Sequence, residues 1–157
     1  MNGLVFLFSI SVFSQSFNQD KIALANFIER EYISQPWAGV KIFRDYENIY
    51  LISLVKLNPT LYKTENEMVR VAEVKSRSQA NQFLNDPYIT SETIIITENK
   101  SKENSGTAQL IEDAIRDRAI GFTNSMELIS TFISETDSNQ KVFIYMKTLD
   151  KLKKGRK

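Results

Sequence analysis

The 157-residue chain sets 20 basic against 19 acidic residues, a formal charge of +1, and holds neither cysteine nor histidine. A near-neutral chain has no global field to gather nucleic acid or an anionic membrane. Without thiol or imidazole there are no disulfides, no thiolate metal sites, no lipidated N-terminal cysteine, and no Ser-His, Cys-His or zinc-type catalysis.

The remaining composition, 42% hydrophobic and 25% charged with 5 Gly and 3 Pro, is that of a globular protein sized for one core. An enzyme built from it would have to work with Asp, Glu, Lys, Tyr, Ser or Arg. The expectation is therefore a non-catalytic protein without cofactor or metal.

Residues 4–13 are apolar except for Ser9 and Ser11. A spanning helix takes about 20 apolar residues, whereas the core of a signal peptide takes about 7 to 15. Val12 and Ser14 then suit cleavage before Gln15, and polarity rises through Ser16, Asn18 and Asp20. Residues 1–14 are accordingly expected to be a signal peptide. The mature chain would be exported to the periplasm, cell envelope or extracellular space, with no transmembrane segment. Met1, Asn2 and Gly3 bring no side-chain charge to the n-region, and the competing reading is a buried first strand or helix.

The domain is expected over residues 18–150. Asn18 can cap a helix whose apolar positions Ile22, Ala25, Ile28 and Tyr32 keep helical spacing, bounded by Pro36. After a Pro-Gly connector, residues 40–44 and 49–57 read as a hairpin around Asp45, Tyr46, Glu47 and Asn48. Its second strand is apolar at alternate positions both ways, Ile49, Leu51, Val55 and Leu57 against Tyr50, Ile52 and Leu54, which predicts cover on both sides.

Thr64 and Glu67 have the spacing of a capping box and open a helix to about Leu84. Its small residues Ala72, Ser76 and Ala80 would let it approach a sheet closely. A strand is predicted over residues 88–97 around Ile94, Ile95 and Ile96, followed by a polar loop over residues 99–106. From Thr107 the spacing Ile111, Ala114, Ile115, Ala119 and Phe122 predicts a third helix. Residues 126–134 and 141–149 form a second predicted hairpin, and a basic tail occupies residues 151–157. The order helix, hairpin, helix, strand, helix, hairpin predicts an α+β fold, a mostly antiparallel sheet of about five strands with helices on one face.

The helix carrying Ala72, Lys75, Arg77 and Ala80, then Gly121, Phe122, Met126 and Leu128 before a last hairpin through Val142 and Tyr145, resembles two kinds of small envelope domain. These are the domains of outer-membrane lipoproteins and the N-terminal domain of the flagellar assembly T protein. The likeness covers roughly residues 38–149 and implies a fold and a compartment, with no catalytic positions to carry over. The chain departs from the lipoprotein pattern in having no cysteine for lipid attachment.

Among candidate sites, Asp113 and Asp117 lie one helical turn apart beside Glu112 and could share a hard cation; pairing with Arg116 and Arg118 makes a solvated face the simpler reading. Trp37, Tyr46 and Tyr50 are near in sequence and form the candidate partner-binding cluster, against core burial as the alternative. The basic tail could touch an anionic surface, or remain a solvated end. The expected function is binding of an unidentified protein or envelope surface through sheet or hairpin edges. The alternative is a small-ligand carrier or inhibitor with a pocket between sheet and helices.

Overall fold

The structure, a computed structural model, describes residues 21–44, 48–85, 94–96, 126–134, 136 and 139–149. The expected signal peptide, the helix from Thr107 with Asp113 and Asp117, the residue Tyr46 and the basic tail lie outside the described residues.

Helix α1 (Lys21–Ser34) opens the described chain. Its buried residues are Leu24, Ala25, Ile28 and Tyr32, so the inward stripe runs from Leu24 in steps of four. Ile22, expected on that stripe, is instead 71% exposed. Gly39 opens β1 (Gly39–Arg44) with a φ of 98°, a left-handed conformation that only glycine adopts without strain. β1 pairs antiparallel with β2 (Ile49–Leu57), Phe43 opposite Tyr50.

A short 3-10 turn (Pro59–Leu61) follows, with the Asn58 side chain accepting from the Thr60 N–H at 3.0 Å. It leads into α2 (Glu65–Asn85). Half of the capping box is formed, with Thr64 Oγ1 accepting from the Glu67 N–H at 3.1 Å, while Glu67 Oε2 accepts from the N–H of Lys63, one residue before the cap, at 3.0 Å.

β3 (Ile94–Ile96) lies parallel to β1. β4 (Glu127–Ile133) and β5 (Lys141–Leu149) form the second hairpin, and β5 pairs antiparallel with β2 along its whole length. The sheet order is β3-β1-β2-β5-β4. The fold is thus α+β, with β1, β2, β5 and β4 forming an antiparallel sheet, and β3 parallel at one edge.

The expectation of helices on one face is corrected, because the two described helices lie on opposite faces. Met68, Ala72, Ala80 and Leu84 of α2 pack with Ile42, Ile49, Leu51, Val55, Leu57, Phe143 and Tyr145. Leu24, Ile28 and Tyr32 of α1 pack with Phe43, Tyr50, Ile52, Leu54, Val142, Ile144 and Met146. The physical reason is the double apolar alternation of β2 and β5: interior strands that carry large apolar side chains on both faces need a layer on each.

Small residues set how close α2 comes. Ser53 Oγ on β2 donates to Gln79 Oε1 at 2.9 Å and lies 3.5 Å from the main-chain oxygen of Ser76. A strand side chain this near a helix carbonyl requires the small residues at 72, 76 and 80, all wholly buried. At the far side Tyr145 donates its hydroxyl to the Val69 carbonyl at 3.2 Å.

Candidate functional site

Two of the three aromatic candidates are described, and both belong to the α1-side core. Tyr50 is 4% exposed, its hydroxyl receiving a hydrogen bond from Asn48 Nδ2 at 3.3 Å. Trp37 is half-buried and packs against the same cluster. Phe43 joins them: it lies opposite Tyr50 in the register, 6.2 Å from the Trp37 ring centroid, and edge-on to Phe27 at 6.0 Å. Lys41 Nζ stands 4.8 Å from the Trp37 ring centroid and occupies that face with a cation. The rings close the end of the core, and Tyr50 offers a partner no exposed face.

The surface that remains is the β4 edge, which the sequence reading did not single out by residue. Along its α1 side β4 is held by helix contacts. Lys21 Nζ meets Glu127 at 2.6 Å, the Tyr32 and Phe132 rings pack at 5.4 Å, and the Tyr32 hydroxyl pairs with Ser134 Oγ at 3.0 Å. The other side is different. Leu128, Thr131 and Ile133 lie opposite Tyr145, Phe143 and Lys141, on the α2 side of the sheet. All three are exposed, Ile133 by 56%, because α2 lies mainly over β2 and β1.

Among the described residues β4 pairs with β5 alone, so its outer main chain has no strand partner there. A register shift between Leu128 and Ser130 interrupts the ladder, which shortens the regular edge to Ser130–Ile133. The Ser134 N–H is taken by the Gln140 carbonyl at 2.9 Å, where the hairpin turns. What this arrangement can do is pair main chain to main chain.

The one strongly shifted titratable group among the described residues is Tyr145. Burial pushes its hydroxyl up to about 12; the Glu73 carboxylate adds to the rise and Arg77 opposes it. Glu73 and Arg77 pair with each other one turn apart on α2. With its proton committed to the Val69 carbonyl, Tyr145 is a structural donor and not a poised acid or base. Among the described residues no group of three or more acidic side chains is placed to hold a metal ion.

Order within the sheet, which makes β4 an edge, is set by contacts far apart in sequence. The one local signal is the mixed pattern of Glu127, Leu128, Ile129 and Ser130, too irregular for a buried strand. Compared with protein-family models, curated proteins and solved structures, the chain finds no match.

Proposed function

We propose that this is an exported, non-catalytic binding domain that takes an extended segment of a protein partner onto the outer edge of β4. The observation that carries the reading is the position of β4 at the end of the sheet, with a regular edge over Ser130–Ile133 facing away from β5. Strand addition draws its affinity from main-chain hydrogen bonds and its selectivity from alternate side chains.

Export rests on residues 4–13 and the cleavage pattern ending at Ser14. The resemblance to small envelope domains points to the same compartment. The rival, a ligand carrier with a pocket between sheet and helices, is less favoured. The Ser53 contacts with Ser76 and Gln79 draw α2 onto β2 where such a pocket would need room.

A photoreactive residue at Thr131 tests the binding surface in the native cells. It should cross-link to the partner at high yield, while one at Ser78, exposed on α2, should not. Thr131→Pro with Ile133→Pro, whose N–H groups alternate with the β5-facing N–H of Ser134 and so point outward, should abolish capture while the fold is retained. Equal yields from the two positions refute the edge. Export is read separately by mass spectrometry of the processed N-terminus, and an intact Met1 on the cellular protein refutes it.

A further inference from the structure

We infer that the extended segment taken by β4 is the β4 of a second copy of this chain, the two edges running antiparallel about a two-fold axis at Phe132 so that the two sheets become one. The inference rests on strand addition at this edge and names its occupant.

The first observation is the direction of the main-chain groups. Ser134 gives its N–H to Gln140 across the hairpin, and along an antiparallel ladder successive residues alternate between facing the paired strand and facing away. Phe132 and Ser130 therefore bond to β5, and Thr131 and Ile133 turn outward. The register shift between Leu128 and Ser130 ends the regular edge on one side, and the hairpin turn ends it on the other. A single antiparallel register gives both outward residues of each edge a regular outward partner: Thr131 opposite the second copy's Ile133, and Ile133 opposite its Thr131. Phe132 then faces its own copy across the axis in a non-hydrogen-bonded pair, where side chains approach most closely.

The second observation is charge. A two-fold axis sets an edge against itself, so a charge on it tends to meet its like. Residues 128–134 hold no charged residue and no proline in a chain that is 25% charged, although lysine and proline are the usual guards of an exposed edge. Glu127, at the start of the strand, is paired with Lys21 of its own chain.

The third is apolar surface on both sides of the edge. Main-chain bonds over so short a strand do not by themselves bury the roughly 800 Å² per partner of a standard interface, so side chains must contribute. On the α2 side Leu128, Thr131 and Ile133 are exposed. On the α1 side Ile33 is exposed next to Tyr32, whose ring packs on Phe132. Six residues of helix put Ile33 about 120° round from Phe27. Phe27 leans toward Phe43 on β1, so Ile33 lies on the opposite flank of α1, the one that looks past β4. The pairing brings the two Ile33 side chains toward each other over the Phe132 pair.

Because the chain has no cysteine, single thiols report the register. Thr131→Cys and Ile133→Cys, both at exposed positions, are mixed in equal amounts and oxidised. A 131-to-133 disulfide between chains should form about tenfold more readily than any disulfide in either variant alone, because facing residues lie about 5.5 Å apart and like positions about 7–8 Å. Sedimentation of the unaltered protein should show a pair that dissociates on dilution, Thr131→Lys with Ile133→Lys should be a monomer of unchanged circular dichroism, and Val74→Lys should still pair. Predominant linkage between like positions overturns the proposal, as does linkage no greater than that of Val74→Cys. Failure of self-pairing is told apart from failure of the edge by the photoreactive residue at Thr131: capture of a different protein keeps the edge and rejects the second copy, and capture of nothing rejects both.

Discussion

Phe43→Ala is the sharpest test of the α1 layer. Phe43 is 0% exposed and lies at the meeting point of Phe27, Trp37 and Tyr50. Truncating a wholly buried phenylalanine costs about 3–5 kcal/mol, the lost transfer energy plus the cavity left behind. Of this, the edge-on contact with Phe27 accounts for about 0.5–1.5 kcal/mol. A domain holds only about 5–15 kcal/mol in total, so the variant should stay folded with little to spare. Urea unfolding followed by circular dichroism should show the midpoint falling by about 2 M, for a slope near 2 kcal/mol per molar.

A double-mutant cycle with Phe27→Ala isolates the ring contact and should return a coupling of about 0.5–1.5 kcal/mol. Val74→Ala, at a position 66% exposed on α2, is the control and should move stability by no more than about 0.5 kcal/mol. If Phe43→Ala shifts the midpoint no further than Val74→Ala, α1 does not pack on the sheet through this ring and the two-faced architecture is wrong.

Thr64→Ala removes the acceptor for the Glu67 N–H and should lower stability by about 0.5–2 kcal/mol in the same assay, with Thr64→Ser largely restoring it. Ser76→Ala removes a buried hydroxyl with no partner among the described residues; thermal melts should show it neutral or stabilising, since an unsatisfied donor is lost and alanine is the better helix former. Ala72→Leu goes the other way, wedging α2 off the sheet at a cost of about 1–3 kcal/mol.

Tyr145 governs the alkaline limit. Its folded pKa is raised from 10.0 to about 12, so the neutral hydroxyl favours the folded state; that contribution is complete below pH 10 and is lost as pH rises toward 12. Denaturation titrated across this window should show a steeper loss for the native chain than for Tyr145→Phe, and equal slopes would refute the assignment.

The elements are legible where the signal is local. The capping box at Thr64 and Glu67 marks the start of α2, and the apolar positions of β2 divide between the two clusters as their alternation implies. That same alternation, repeated in Val142, Ile144 and Met146 against Phe143 and Tyr145, already requires a helix on each face. Placing both helices on one face overlooks it. The inward stripe of α1 is harder to read, because Ile22 and Leu24 are equally apolar. Only packing against Phe43 and Ile144 selects the second.

The candidate site is less legible, for a different reason. Aromatic residues gathered in sequence at Trp37 and Tyr50 look like a binding cluster, but Trp37 in the connection from α1 to β1 and Tyr50 opposite Phe43 near the start of β2 both pack into the α1-side core. The exposed strip on β4 carries ordinary residues, and nothing in Leu128, Thr131 or Ile133 distinguishes them from core positions until sheet order is known.

The central ladder joins β2 to β5 along their full length, pairing Leu57 with Lys141 at one end and Ile49 with Leu149 at the other. A chain made from its N-terminus thus has no middle to its sheet until residue 149 has emerged. Contacts so distant in sequence slow folding, because the intervening loop must close before they form. If the chain is exported as proposed, that delay would be an asset, because the topology would postpone collapse while the unfolded chain passes through a membrane channel.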